Sequence, residues 1–270
     1  MNQPLNLDGP DLPRDFSVYY IATWRMFHDP SQIFNTQTLT SGEPVIYPPI
    51  TPYKYTPSFL VLISPLLNLN YYQAFWVFDA IQFVLLPLIA ILLYRLLENK
   101  HPVIALSVLV AVLVLPYPMA GRGLSVSYFM QWAEGQAKVL LTFLLSASFY
   151  LGYKGRATLS GIVFALGAFD PRFTLLALPL FLFYSKNKLK TALIAMIGTF
   201  AVLNALVLYP GVALGFIDML LTAGGTTPFY TPSWIPLVMI IGLIAVNAKG
   251  IVNEVKQRVN YAQRNGNSER

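Results

Sequence analysis

Apolar runs of helical length, separated by short and mostly basic loops, fill the chain from Pro57 onward. Tyr71–Leu97 is long enough to cross a hydrocarbon core of about 30 Å. Gly135–Tyr153 and Leu189–Tyr209 read as further spans, with Val103–Tyr117 and Pro232–Ala248 as additional apolar runs. Pro57–Leu69 is apolar but short, and Asn68-Leu69-Asn70 stops it. Ala157–Ser185 is apolar throughout except at Asp170-Pro171-Arg172. Proline removes a backbone donor and pushes the residue before it out of helical geometry, so a break is expected there. As helices, Thr158–Phe169 and Arg172–Ser185 reach only about 18 and 21 Å, too short to cross singly. A hairpin of two short helices and one long kinked helix are both compatible with this pattern. Charged groups at such depth belong against protein or a watery cavity, so the break is expected to floor a polar chamber. The plainer alternative is that Asp170 caps the second helix and pairs with Arg172.

Upstream the pattern changes. In Phe16–Phe27, Val18, Tyr19, Ala22 and Met26 form one apolar face, with Asp15 placed to cap the helix; this predicts a helix lying on the membrane surface. Ile33–Pro57, rich in Pro, Thr, Tyr and Ser, reads as a turn-containing loop. Three divisions result: a loop with a surface helix over 1–55, a transmembrane bundle over 56–248, and a basic polar tail over 249–270. The expected fold class is all-α, a polytopic transmembrane helical bundle.

Composition agrees. Of 270 residues, 56% are hydrophobic and 11% charged, against about 25% charged in soluble domains. The absence of cysteine excludes disulfides, thiol catalysis and thiolate-held metals. The net charge of +6 lies in inter-run loops, which argues for membrane orientation and against nucleic-acid binding. Met1–Arg14 has no apolar core, so no cleavable signal opens the sequence. Arg95 with Lys100, Lys154 with Arg156, Lys186 with Lys188 and Lys190, and the tail all fall on one face if Ala157–Ser185 is a hairpin and Pro57–Leu69 does not cross. The opposite, extracytoplasmic face then collects Asp15, Glu134, Asp170, Arg172 and Asp218. That topology predicts a multi-pass integral membrane protein. A 55-residue outer loop in that topology is translocated unaided unless a first helix precedes Met1, and the sequence leaves both alternatives open.

Several stretches are similar to a known family. Asp15-Phe-Ser-Val-Tyr-Tyr-Ile-Ala, then Tyr53-Lys-Tyr-Thr-Pro-Ser-Phe-Leu with Ser64-Pro-Leu-Leu, then Gly135-Gln136-Ala-Lys-Val-Leu-Leu, and finally Leu159–Phe169 with its charged break occur in one order. Together they resemble the polyprenol-phosphate-mannose-dependent mannosyltransferases of glycosyltransferase family 87, which have the C-type membrane fold. Two positions depart from that family's pattern: Lys138 or Ala137 stands where an Asn is usual, and Asp170-Pro171-Arg172 where Lys-Pro is usual.

The resemblance implies an inverting membrane transferase that moves a hexose, mannose first, from polyprenyl phosphate to a glycan or lipid acceptor. It implies Asp15 as catalytic base, with a helix cap as the plain alternative. Arg172 could grip the lipid phosphate through its fork of donors, with Asp170 beside it or paired to it. Lys54 and Arg25, with Arg122, are outer-side cations that could share that contact, or be solvated. Glu134 and Gln136 could bond sugar hydroxyls, or cap a helix. Tyr55, among many outer aromatics, could stack on a sugar or belong to an interfacial belt. Asp79 and Gln82 sit inside Tyr71–Leu97, where an aspartate is a functional candidate by default. No metal spacing, Asp-x-Asp, Walker loop or Gly-x-Gly-x-x-Gly occurs, so neither metal nor cofactor is implied. Expected partners are the lipid-linked donor, the acceptor and membrane lipids. A non-catalytic scaffold of the same descent and a small-solute transporter remain the rivals, although one broken helix falls short of the matched pair that transporters often carry.

Overall fold

A computed structural model describes residues 14–34, 53, 55–97, 117–119, 123–126, 135, 137–205, 209, 211–217 and parts of 239–256. The expected run Val103–Tyr117 lies outside these residues but for its last, as do Lys54, Arg122, Glu134, Gln136, Asp218 and nearly all of the tail. The described fold is helical. Its helices are α1 (Arg14–His28), α2 (Ser58–Ile63), α3 (Tyr71–Leu96), α4 (Lys138–Tyr153), α5 (Ala157–Gly167), α6 (Pro171–Tyr184) and α7 (Leu189–Leu203), joined in places by short 3-10 turns. One small departure from an all-helical chain is an antiparallel ribbon of β1 (Tyr117–Met119) and β2 (Gly123–Val126).

The longest element is α3, with 26 residues, and among the described residues it is the helix long and apolar enough to cross a membrane. Its start is closed by a capping box, in which Asn70 accepts from the Gln73 backbone and Gln73 answers to the Asn70 backbone. One face is buried at Tyr71, Ala74, Phe75, Phe78, Asp79, Gln82, Leu85 and Ile89, the i, i+3, i+4 stripe of a helix packed on one side. The other face presents Trp76, Ile81, Phe83, Val84 and Ile91 outward.

Helix α4 packs along that stripe, and α5 packs on α4 and on α7. Directions follow from the contacts. A Cβ at Gly135, just before α4, would lie 2.7 Å from Phe16 and 3.2 Å from Phe75. The starts of α1, α3 and α4 therefore gather at one end. Ser148 on α4 and Ser160 on α5 exchange hydroxyl-to-carbonyl bonds of 2.9 Å, and Ser160 meets Ser185 at 3.2 Å. Phe164 stacks on Phe181 at 4.4 Å. Those contacts make α5 antiparallel to both α4 and α6. The basic turns at Lys154–Arg156 and Lys186–Lys188 thus share the far end of the bundle, and the α5–α6 break returns to the near end.

Two expectations are corrected. Helix α1 is not a surface helix: Phe16 through Thr23 are all buried. Its aromatic side chains turn inward, Phe16 against Tyr71, Phe75 and Phe78, and Tyr19 edge-on to Phe59. Starting at Arg14, it also carries Asp15 within its first turn rather than as the cap. Second, residues 211–217, which lie between the expected apolar runs Leu189–Tyr209 and Pro232–Ala248, are helical.

Candidate functional site

The break between α5 and α6 is built by Asp170-Pro171. Pro171 opens α6, where a missing N–H costs nothing, and Asp170 before it is extended. Its side chain makes no capping bond to the helix. Instead it accepts from Lys138 Nζ at 2.7 Å, and both side chains are almost wholly buried. A bent helix and the first residue of α4 are thereby locked together. The expected role of Asp170 as the cap of α6 is corrected, while the expected contact with Arg172 lies outside the described side chains. Arg172 follows as the second residue of α6, next to the pair along the chain.

Aromatic rings enclose the pair. Lys138 Nζ lies 5.3 Å from the Tyr55 ring centre and 5.0 Å from that of Phe173, both within cation–π range. Phe169 packs on Phe59 at 4.6 Å and edge-on to Tyr55 at 5.5 Å. Thr56 N donates to the Phe169 carbonyl at 3.0 Å, which ties the segment before α2 to the break by backbone. Tyr53 donates to the Thr56 carbonyl at 2.8 Å, and burial, with Tyr55 beside it, holds its phenol well above the usual tyrosine range. Tyr55 also reaches Tyr19 on α1, hydroxyl to hydroxyl at 3.3 Å. The expected open polar floor is corrected here: Asp170 is buried in an ion pair beside aromatic rings, where Lys138 offsets the cost of taking its charge out of water.

Of the residues singled out from the sequence, Tyr55 and Asp170 are brought together, with Arg172 adjacent in the chain. Asp15 lies one residue before Phe16, at the same end. Arg25 is not an exposed cation: it is buried at 2%, and its guanidinium donates to the Gln32 carbonyl at 2.9 Å. Lys138 was missed by sequence reasoning as a site residue. Its one signal is a lysine at the very start of an apolar helix, and nothing local pairs it with a position 32 residues on.

Deeper in α3, Asp79 and Gln82 are buried at 2% and 0%. Asp79 Oδ1 and both amide atoms of Gln82 have no hydrogen-bond partner among the described residues. Among the described residues, no group of three or more His, Cys, Asp or Glu gathers to hold a metal.

Among the described residues, the apolar helical bundle carries one helix of membrane-crossing length and a buried ion pair at the end where α1, α3 and α4 start. The sequence model of glycosyltransferase family 87 matches residues 53–255. The chain belongs to that family, and its class is membrane glycosyltransferase. Lys138, Asp170, Arg172, Asp79 and Gln82 fall within the matched region, whereas Asp15 and α1 precede it. No curated protein and no solved structure matches the chain.

Proposed function

We propose that this glycosyltransferase moves a hexose, mannose first, from a polyprenyl phosphate donor to a hydroxyl of a glycan or lipid acceptor, with inversion at the sugar carbon. The observation that carries the reading is the meeting, at one end of the bundle, of the α1 start, Tyr55 and the Lys138–Asp170 pair. A lipid-linked donor lies in the bilayer with its phosphate at the interface, so its reacting carbon reaches such an end directly.

The chemistry is a single displacement. The acceptor oxygen bonds to the anomeric carbon as the carbon–oxygen bond to phosphate breaks, and polyprenyl phosphate leaves with the bonding electrons. The hydroxyl proton goes to a carboxylate, assigned to Asp15. Negative charge growing on the phosphate is met by cations, assigned to Arg172 and Lys54. Glu134 and Gln136 are assigned to sugar hydroxyls and Tyr55 to one wall, while Arg25 holds the end of α1. Residues 1–55 form the outer-face loop, 56–248 the membrane bundle and 249–270 a cytoplasmic tail. The bundle crosses several times, with its active face extracytoplasmic. The segregation of basic turns to the far end supports that orientation.

The test is transfer of radiolabelled mannose from a short-chain polyprenyl phosphate donor in purified membranes, wild type beside Asp15→Ala. Transfer by wild type, reduced at least a hundredfold in the variant, is the expected result. Undiminished transfer by the variant removes Asp15 from the base role. Absence of transfer by folded wild type removes the donor assignment.

A further inference from the structure

We propose that Asp79 and Gln82 form a subsite that reads hydroxyl groups of the sugar being transferred. The inference rests on the donor reading above and gives it a specificity-determining element inside the membrane helix. Three buried polar atoms with no hydrogen-bond partner among the described residues carry it. An unsatisfied buried donor or acceptor is expensive, and a membrane helix has little reason to hold three of them one turn apart unless something from outside the chain completes them.

Their position fits the donor. Asp79 and Gln82 stand three residues apart on the buried face of α3, so both side chains leave the helix on one side. Asp79 lies one turn beyond Phe75, and Lys138 three residues beyond Gly135, with Gly135 against Phe75. Since α3 and α4 start at the same end and pack side by side, helix rise puts Asp79 and Lys138 within about 5 Å of the same depth. A chain of contacts links them: Phe78, next to Asp79, packs on Tyr19, Tyr19 on Tyr55, and Tyr55 on Lys138.

The donor has three chemical parts, and one matches. A polyprenyl chain offers no hydrogen bonds. A phosphate would meet the Asp79 carboxylate as like charge. A sugar hydroxyl both donates and accepts, which suits a carboxylate oxygen together with an amide that does both. A hard cation is a poor fit, since one carboxylate and one amide oxygen fall well short of six ligands.

The experiment measures binding to the full chain in lipid nanodiscs. Its probes are short-chain polyprenyl phosphate mannose and the same polyprenyl phosphate without sugar. The variants are Gln82→Met, which keeps the shape and removes both orphaned atoms, and Asp79→Leu. Each is expected to weaken the mannosyl lipid about tenfold, to leave the sugar-free lipid within twofold, and to keep or raise Tm. Equal loss for both lipids, no loss for either, or a lowered Tm overturns the assignment. Wild type that binds the sugar-free lipid no more weakly than the mannosyl lipid overturns it too, and by that separate signature the donor reading with it.

Discussion

Lys138 and Asp170 show how much one residue's placement depends on another's. Each alone would be a charge in an apolar interior; together they are a neutral, hydrogen-bonded unit within a cage of rings. Removing one partner takes a 2.7 Å charge-assisted bond from the other, a loss that costs about 3–5 kcal/mol in buried pairs, whereas replacing both with apolar residues is often close to neutral. Lys138→Met is therefore expected to lower thermal stability in detergent sharply, and Lys138→Met combined with Asp170→Leu to recover most of the loss. Circular dichroism melts of the wild type, the two single variants and the double variant check this. Additive losses in the double variant would show that the two side chains act independently.

At the scale of elements, small residues decide how closely helices approach. A Cβ at Gly161 of α5 would press on the Ala192 carbonyl and the Met196 backbone of α7. Without water to expel between apolar helices in a bilayer, close backbone contact is a main source of their attraction. Gly161→Ala should thus cost about 1–3 kcal/mol by forcing the pair apart. Gly198 offers the contrasting case on α7 itself, since a Cβ there meets nothing. Gly198→Ala should stabilise by about 0.5–1 kcal/mol through helix propensity alone. Thermal unfolding of the two variants, compared with wild type, reads both signs in one series. A loss at Gly198 equal to that at Gly161 would rule out the close-approach explanation.

For the whole molecule, the consequence is a sidedness that labelling can read. The turns at Lys154–Arg156 and Lys186–Lys188 share one end of the bundle, while Thr56 and the α5–α6 break share the other. Because the chain has no native cysteine, single cysteines can be introduced without background. In intact cells, Arg156→Cys and Asn187→Cys are expected to resist a membrane-impermeant maleimide until the membrane is opened. Lys54→Cys is expected to react at once. Reaction of Asn187→Cys and Lys54→Cys from the same side would contradict the proposed orientation.

Much of the helical layout was legible because it is local. The apolar run of α3 and the proline break after α5 follow from periodicity, propensity and missing donors that act within a few residues. Family membership, too, could be read from short motifs in order. The sequence by itself thus determined a helical, apolar, membrane-associated chain with a charged break. What it did not determine are relations between distant positions. The apolar face of α1 suggested a surface helix, since sequence shows one amphipathic stripe but neither the Phe59 ring that covers Tyr19 on it nor the Tyr71 and Phe75 rings that bury Phe16 beside it. Asp170 meets a lysine 32 residues away, because the bend in the helix delivers it to the start of α4. Asp79 and Gln82 were visible as polar residues in an apolar run, but only packing revealed that three of their buried atoms have no partner among the described residues. Tertiary structure decides such matters because burial and pairing are properties of the surroundings, and the surroundings of a side chain are assembled from residues far along the chain.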